Sequence, residues 1–113
     1  MLNSAQLQGR FTQDPELREV GNDKIHTVSF TLAVSRSYVD KASGEREADF
    51  IDCVAWRGQA DFICKNFKKG ESVIVEGTLQ TRTYEDSNGS NRKVTELLVN
   101  SIHFVGAGKK SDD

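Results

Sequence analysis

Alternation of apolar and polar residues is clearest between residues 27 and 35. Apolar side chains occupy every second position there, at Val28, Phe30, Leu32 and Val34, and small polar residues fill most positions between them. Because successive strand side chains point to opposite faces, this pattern predicts a half-buried antiparallel strand. Looser alternation predicts four further strands, at residues 4–11, 50–56, 73–84 and 92–105.

The hydrophobic period changes after Trp56. Between residues 58 and 69, apolar side chains recur at the i, i+3, i+4 and i+7 positions, which is one stripe of an amphipathic helix. Gly70 follows as a predicted left-handed cap of that helix. The stripe consists of Ala60, Ile63, Cys64 and Phe67.

Turn residues separate these elements. Asp14-Pro15 ends the first strand, and Asp86 opens a polar hairpin tip over residues 86–91. Residues 37–48 are predicted to be a polar loop. Gly77 interrupts the fourth strand, which indicates a bulge or a sharp bend.

The order of elements is therefore three strands, one helix and two strands. This order predicts an all-β fold with one helix, the OB-fold, which is a five-stranded Greek-key barrel with a helix between strands 3 and 4. The length of 113 residues fits one domain. We expect the domain to occupy residues 1–105 and residues 106–113 to form a short disordered tail.

Composition indicates a globular protein, with 36% hydrophobic and 28% charged residues. No apolar run approaches a membrane span, and the N-terminus shows no signal-peptide pattern. We therefore expect no membrane association and a cytoplasmic location, associated with the nucleoid, or in the host cytoplasm if the protein is phage-encoded. We also expect reduced thiols at Cys53 and Cys64. A disulfide between the two cysteines is the alternative.

Four aromatic residues do not follow a core pattern. Phe50 and Trp56 share strand parity with Asp52, and Tyr84 shares parity with Arg82. Exposed rings beside cations suit unpaired bases, because every base has a face that can stack. Phe50 and Trp56 would lie roughly 20 Å apart along a strand, so they would contact different nucleotides. Core packing is the alternative for the four rings, which are Tyr38, Phe50, Trp56 and Tyr84.

A net charge of −2 counts against a generic polyanion binder. Binding follows the local field, however, and several cations lie near the aromatic residues. Simple solvation is the alternative for each of them. We predict phosphate contacts at Arg36, Arg57, Lys69 and Arg82.

No motif for catalysis or cofactor binding is visible. The two histidines and two cysteines show no metal-ligand spacing, and neither a Walker loop, a GxGxxG motif nor a nucleophile elbow is present. We expect no metal, no cofactor and no enzymatic activity.

Several segments in this order resemble bacterial and phage single-stranded DNA-binding proteins of the homotetrameric OB-fold family. The resemblance covers about residues 2–105. It is carried by Gly9-Arg10, Asp14-Pro15-Glu16-Leu17-Arg18, residues 31–36 (TLAVSR), residues 44–51 (GEREADFI), Lys68-Lys69-Gly70 and residues 75–84 (VEGTLQTRTY).

The resemblance implies single-stranded DNA (ssDNA) binding during replication, recombination and repair. It implies base stacking at the four aromatic residues, phosphate contacts at Lys69 and Arg82, and a homotetramer with residues 2–11 in an interface. Two departures stand out. The chain ends at Asp113 without an acidic Pro-Phe tip, which suggests either a truncated chain or a tail-less form specialised for phage replication or DNA uptake. Without such a tip, the resemblance gives no basis for recruitment of replication or repair proteins. Gln6 and Gln8 replace more apolar residues.

Two rival functions use the same fold. A protein-interaction OB module would present a different surface and could be dimeric. A small OB-fold nuclease would need clustered carboxylates for a metal, and the sequence shows no such cluster; the acids at 45, 47 and 49 fit a solvated loop edge.

Overall fold

The computed structural model describes residues 1–105, so the predicted tail at residues 106–113 lies outside the described residues. Six strands and one helix follow one another along the chain. They are β1 (Ala5–Phe11), β2 (Arg18–Val20), β3 (Ile25–Val39), β4 (Arg46–Trp56), α1 (Gly58–Asn66), β5 (Ser72–Glu85) and β6 (Asn91–Phe104).

Five of these strands close into a barrel. The sheet order is β1-β5-β6-β4-β3-β2, and β1 returns to pair with β3 at Arg10↔Ala33 and Phe11↔Leu32. All barrel pairings are antiparallel except β4 with β6. The protein thus has the predicted OB-fold, and the helix joins the third and fourth barrel strands. The strand β2 lies outside the barrel, paired to the start of β3.

The alternating residues of β3 line the barrel interior. Val28 and Leu32 are fully buried, and the rings of Phe11, Phe30 and Phe67 stack, with centroids 4.9 Å and 5.4 Å apart. The helix packs against β3 and β4 through its buried face. Burial of these side chains removes apolar surface from water, which is the main term that stabilises such a core.

The pairing of β5 with β6 is irregular at Gly77, where the sequence predicted a bulge or a sharp bend. Glu76 pairs with Ser101 and Gly77 pairs with Val99, so Asn100 of β6 has no partner on β5. Such a bulge bends the sheet locally and helps a small barrel to close. The side-chain amide of Gln59, on the helix, donates to the carbonyl of Asn100.

The predicted loop at residues 37–48 was wrong at both ends. The strand β3 continues to Val39 and β4 begins at Arg46, which leaves a turn of residues 40–45. In that turn Asp40 and Glu45 are joined by a 2.8 Å backbone hydrogen bond. The β3–β4 hairpin arm projects beyond the barrel, so neither of its faces packs against the core. Its sequence therefore shows no alternation of apolar and polar residues from which the strands could be predicted.

The helix is shorter than predicted. It ends at Asn66, and Phe67 adopts an extended backbone that directs its ring into the core. Gly70 does have the left-handed conformation, with φ +90°, but it belongs to a separate turn. Its N–H donates to the carbonyl of Phe11.

Both cysteines are free thiols, and burial raises the pKa of Cys53 to about 12.

Candidate nucleic-acid interface

The outer face of β4 carries two of the predicted stacking residues. Phe50 lies opposite Ala33 of β3, and Trp56 lies opposite Thr27. These small partners cannot cover an aromatic ring. The side chains are accordingly 67% exposed at Phe50 and 41% exposed at Trp56. Between them on the same face lies Asp52, whose Oδ1 accepts a 3.0 Å hydrogen bond from the Thr31 hydroxyl.

A groove of about 470 Å³ connects this face to the β5–β6 hairpin. It brings Phe50 and Arg82 together, although they are distant in the sequence. Its wall also contains Arg18, which was not among the predicted phosphate contacts. The lining residues that matter here are Arg18, Thr31, Phe50, Asp52, Arg82 and Glu96.

Arg82 is held in place by a buried carboxylate. Its Nε donates to Oε1 of Glu96 at 2.6 Å, and the Glu96 side chain is only 5% exposed. The Arg82 guanidinium carbon lies 5.8 Å from the centre of the Tyr84 ring, within cation–π range. The hydrogen bond to Glu96 uses one of the five N–H groups of the Arg82 guanidinium, so the terminal nitrogens can still donate to a phosphate. Tyr84 itself is 46% exposed.

Arg18 extends the Trp56 end of the face. Arg18 pairs with Thr27, and Thr27 pairs with Trp56, so the three residues form a cross-strand row over β2, β3 and β4. The short strand β2 has no buried residue, and its period is therefore invisible in the sequence. Residues 17–20 do not alternate, and the turn at Gly21 is the one local signal that a short strand precedes it.

Arg36 and Tyr38 form a separate cluster on the β3–β4 hairpin arm. The Arg36 guanidinium donates to both carboxylate oxygens of Asp49, at 2.9 and 3.1 Å, and to Glu47 at 3.1 Å. It also contacts the Tyr38 hydroxyl at 3.2 Å, and the Tyr38 ring is 60% exposed. The hydrogen bonds from Arg36 lower the pKa of Asp49.

This cluster differs electrostatically from the groove. Two carboxylates outweigh one guanidinium, so Arg36 gives no net positive charge to the arm. Asp49 directly precedes Phe50, and adjacent strand residues face opposite sides. Arg36 therefore lies on the side of the arm away from Phe50. Of the four predicted phosphate contacts, Arg36 has the least support from the structure.

Lys69 and Arg57 are the two remaining predicted phosphate contacts. The backbone N–H of Lys69 donates to Asp14, which lines the groove, so the Lys69 backbone lies close to the groove, and Lys69 is exposed. Arg57 follows Trp56 and is exposed, with φ +59°. A positive φ is uncommon outside glycine, and here it turns the chain sharply from β4 into the helix. The Arg57 N–H donates to the carbonyl of His26 at 2.7 Å.

His26 joins the helix to β2 next to this turn. Its Nδ1 lies 2.6 Å from Asp61 of the helix, and its Nε2 lies 3.4 Å from Glu19 of β2. The hydrogen bond to Asp61 is the main cause that raises the pKa of His26 above its ordinary value. A raised pKa means that the folded state binds the proton more tightly than the unfolded state does.

We therefore predict that His26 stabilises the fold more at mildly acid pH than at alkaline pH. The stabilisation is fully present below the unfolded pKa of about 6.5 and is lost as the pH rises through the higher folded value. The melting temperature of the protein should exceed that of His26→Gln by a larger margin at pH about 5.5 than at pH about 8.5. A margin that is the same at both pH values, or larger at the alkaline one, would contradict the prediction.

Among residues 1–105, no group of three or more histidine, cysteine, aspartate or glutamate side chains could hold a metal ion. No helix in that part of the chain is long and apolar enough to cross a membrane.

The closed barrel with its single helix places the chain in the OB-fold class. Residues 2–105 match the single-strand binding protein family. The chain therefore belongs to that family. This confirms the resemblance found in the sequence.

Named relatives give the same result. The chain is 49% identical to "Single-stranded DNA-binding protein A" of Bacillus subtilis over 105 residues, which cover 93% of this chain and 60% of that protein. It is 46% identical to a "Single-stranded DNA-binding protein" of Caldanaerobacter subterraneus, covering 93% of this chain and 69% of that protein. It is 45% identical to "Single-stranded DNA-binding protein 1" of Staphylococcus aureus, covering 100% of this chain and 70% of that protein. The chain thus spans about three fifths of the length of the Bacillus relative.

Proposed function

We propose that this protein binds single-stranded DNA with little dependence on sequence and protects it during replication, recombination and repair. The observation that carries the proposal is the groove that joins the exposed Phe50 ring to Arg82. An exposed ring offers a stacking platform for a base, and a fixed guanidinium beside it offers a phosphate partner. The names of the relatives, all single-stranded DNA-binding proteins, support the same function.

The DNA path runs across the barrel face in this proposal. Phe50 in the middle of β4 and Trp56 at its end stack bases on the outer face of that strand, and Tyr84 stacks a further base on the β5–β6 hairpin. Tyr38 would contact the strand where it passes over the β3–β4 arm. Arg82, Lys69 and Arg57 neutralise phosphates along the path, with Arg18 as a fourth cation next to Trp56. No covalent chemistry takes place on the DNA, and no cofactor is required.

We propose a homotetramer in the cytoplasm as the working form. The strand β1 pairs with β3 only at Arg10 and Phe11, so residues 5–8 have a free edge within the described part of the chain. An unpaired edge is a template for pairing with a second copy. Light scattering would compare the particle mass with four times the chain mass of 12.6 kDa.

Fluorescence of Trp56, the single tryptophan, gives a direct test of the proposal. Oligo-dT should quench it, because a stacked base lies against the indole ring. The logarithm of the binding constant should fall linearly with the logarithm of salt concentration, by about 0.7 for each phosphate contact. Lys69→Gln should therefore reduce the steepness of that line by about 0.7 per subunit.

Lys65→Gln is the matched control, since Lys65 lies on the helix outside the groove lining. It should leave the salt dependence unchanged. Failure of oligo-dT to quench Trp56 and to bind would overturn the proposed function. Equal effects of the two lysine changes would remove Lys69 from the interface but leave the function intact.

A further inference from the structure

One acidic residue of the proposed DNA face, Asp52, lacks an ion-pair partner in the described part of the chain. Asp52 lies on the outer face of β4 between Phe50 and Trp56, and it is exposed. Within residues 1–105 it forms no ion pair, whereas Glu96, which also lines the groove, is bonded to Arg82. A carboxylate without an ion-pair partner repels the phosphates of DNA. Its position beside a stacking ring therefore does not serve overall affinity for DNA, and another role has to explain it.

We propose that Asp52 selects the bases that the groove accepts. In this proposal, which rests on the proposed ssDNA function, Asp52 favours bases with an exocyclic amino group and disfavours thymine. Cytosine is then bound more tightly than thymine at the Phe50 subsite. The protein would bind DNA of any sequence, but with a graded preference set by this side chain.

The spacing places Asp52 within reach of a stacked base. Phe50 and Asp52 are two residues apart on one face of a strand, which separates their Cα atoms by roughly 7 Å. A base lying on the Phe50 ring would extend its hydrogen-bonding edge over that distance. Thr31 is the cross-strand neighbour of Asp52 and borders the same groove.

Asp52 and Thr31 together present acceptors to that edge. The Thr31 hydroxyl already donates its proton to Asp52, at 3.0 Å, so its oxygen faces the groove with lone pairs only. An ionised carboxylate is likewise an acceptor without a donor. Arg82 also lines the groove, and its guanidinium is suited to phosphate.

The chemistry of the bases determines the preference. Cytosine carries an amino group at N4 that donates to a carboxylate, and adenine carries one at N6. Thymine presents carbonyl oxygens on both sides of its single N–H group. A thymine in the same position would therefore place an acceptor against the Asp52 carboxylate, which is repulsive.

Titration of Trp56 fluorescence with oligo-dC and oligo-dT of equal length tests the inference. The ratio of the dT dissociation constant to the dC dissociation constant should fall by about threefold or more in Asp52→Asn. Asparagine keeps the bond from Thr31 and offers both a donor and an acceptor, so it serves the two bases alike. Binding of oligo-dT should tighten, and binding of oligo-dC should not.

Asp23→Asn is the matched control, because it removes the same charge from the β2–β3 turn, outside the groove lining. It should leave the ratio unchanged. If Asp52→Asn strengthens binding of both oligomers by the same factor, Asp52 acts only through its charge and the inference is wrong, while the ssDNA function stands. If neither oligomer binds the parent protein, the proposed function and this inference both fall.

Discussion

Replacing both Phe50 and Trp56 by alanine is expected to weaken binding of oligo-dT by at least about thirtyfold per subunit. Each stacked base contributes about 1–3 kcal/mol, so loss of two rings costs about 2–6 kcal/mol. Since 1.4 kcal/mol corresponds to a tenfold change in affinity, the upper end of that range is about twenty-thousandfold. The two rings are 67% and 41% exposed, so their removal leaves little cavity in the core.

Anisotropy of a labelled oligo-dT is the measurement, because the double variant has no tryptophan. Two controls separate stacking from misfolding. Phe104→Ala removes an exposed ring from the end of β6, outside the groove lining, and should leave affinity within about twofold. Phe50→Tyr with Trp56→Phe preserves two stacking faces and should bind nearly as well as the parent. An affinity of the double alanine variant within twofold of the parent would show that the rings do not stack on bases.

Gly77→Ala is expected to destabilise the barrel by about 3 kcal/mol or more. A Cβ at this position would lie 1.9 Å from the carbonyl oxygen of Leu98 and 3.2 Å from the Cα of Val99. Both atoms are backbone atoms of the neighbouring strand, which cannot move aside as a flexible side chain can. The clash would force β5 and β6 apart at the bulge, where Gly77 also pairs with Ala5 of β1.

Urea unfolding at one fixed protein concentration measures this effect, since an oligomer's stability depends on concentration. Gly58→Ala is the matched control. Gly58 begins the helix, its φ is not positive, and apart from its chain neighbours and the backbone of its own helix no atom lies within 4 Å of the added Cβ. It should change the free energy of unfolding by less than about 1 kcal/mol. Equal stabilities of the Gly77 and Gly58 variants would contradict the close approach of β5 to β6.

The barrel strands could be predicted from the sequence because one face of each is buried. Residues 28–34 alternate because Val28, Phe30 and Leu32 point into the core. The end of β3 and the start of β4 could not be predicted, because residues 35–47 do not pack against the core and show no alternation of apolar and polar residues. The strand β2 is three residues long and wholly exposed, so only its pairing with β3 defines it.

The candidate site was partly visible before the structure. The parity of Phe50 with Asp52, and of Tyr84 with Arg82, indicated that these rings are on the polar side of their strands, and both rings are exposed. Long-range partners were not visible. The bonds from Arg36 to Asp49 and from Arg82 to Glu96 depend on strand register, which neighbouring residues in the sequence do not reveal.

The β5–β6 hairpin forms a second arm like the β3–β4 arm: residues 80–95, like residues 35–48, include no buried residue. Interior packing of the barrel depends little on what these arms contain. Their length and composition can consequently diverge among relatives while the architecture persists. If the proposed function holds, the path of the bound DNA can be changed by altering these two arms without altering the barrel that supports them.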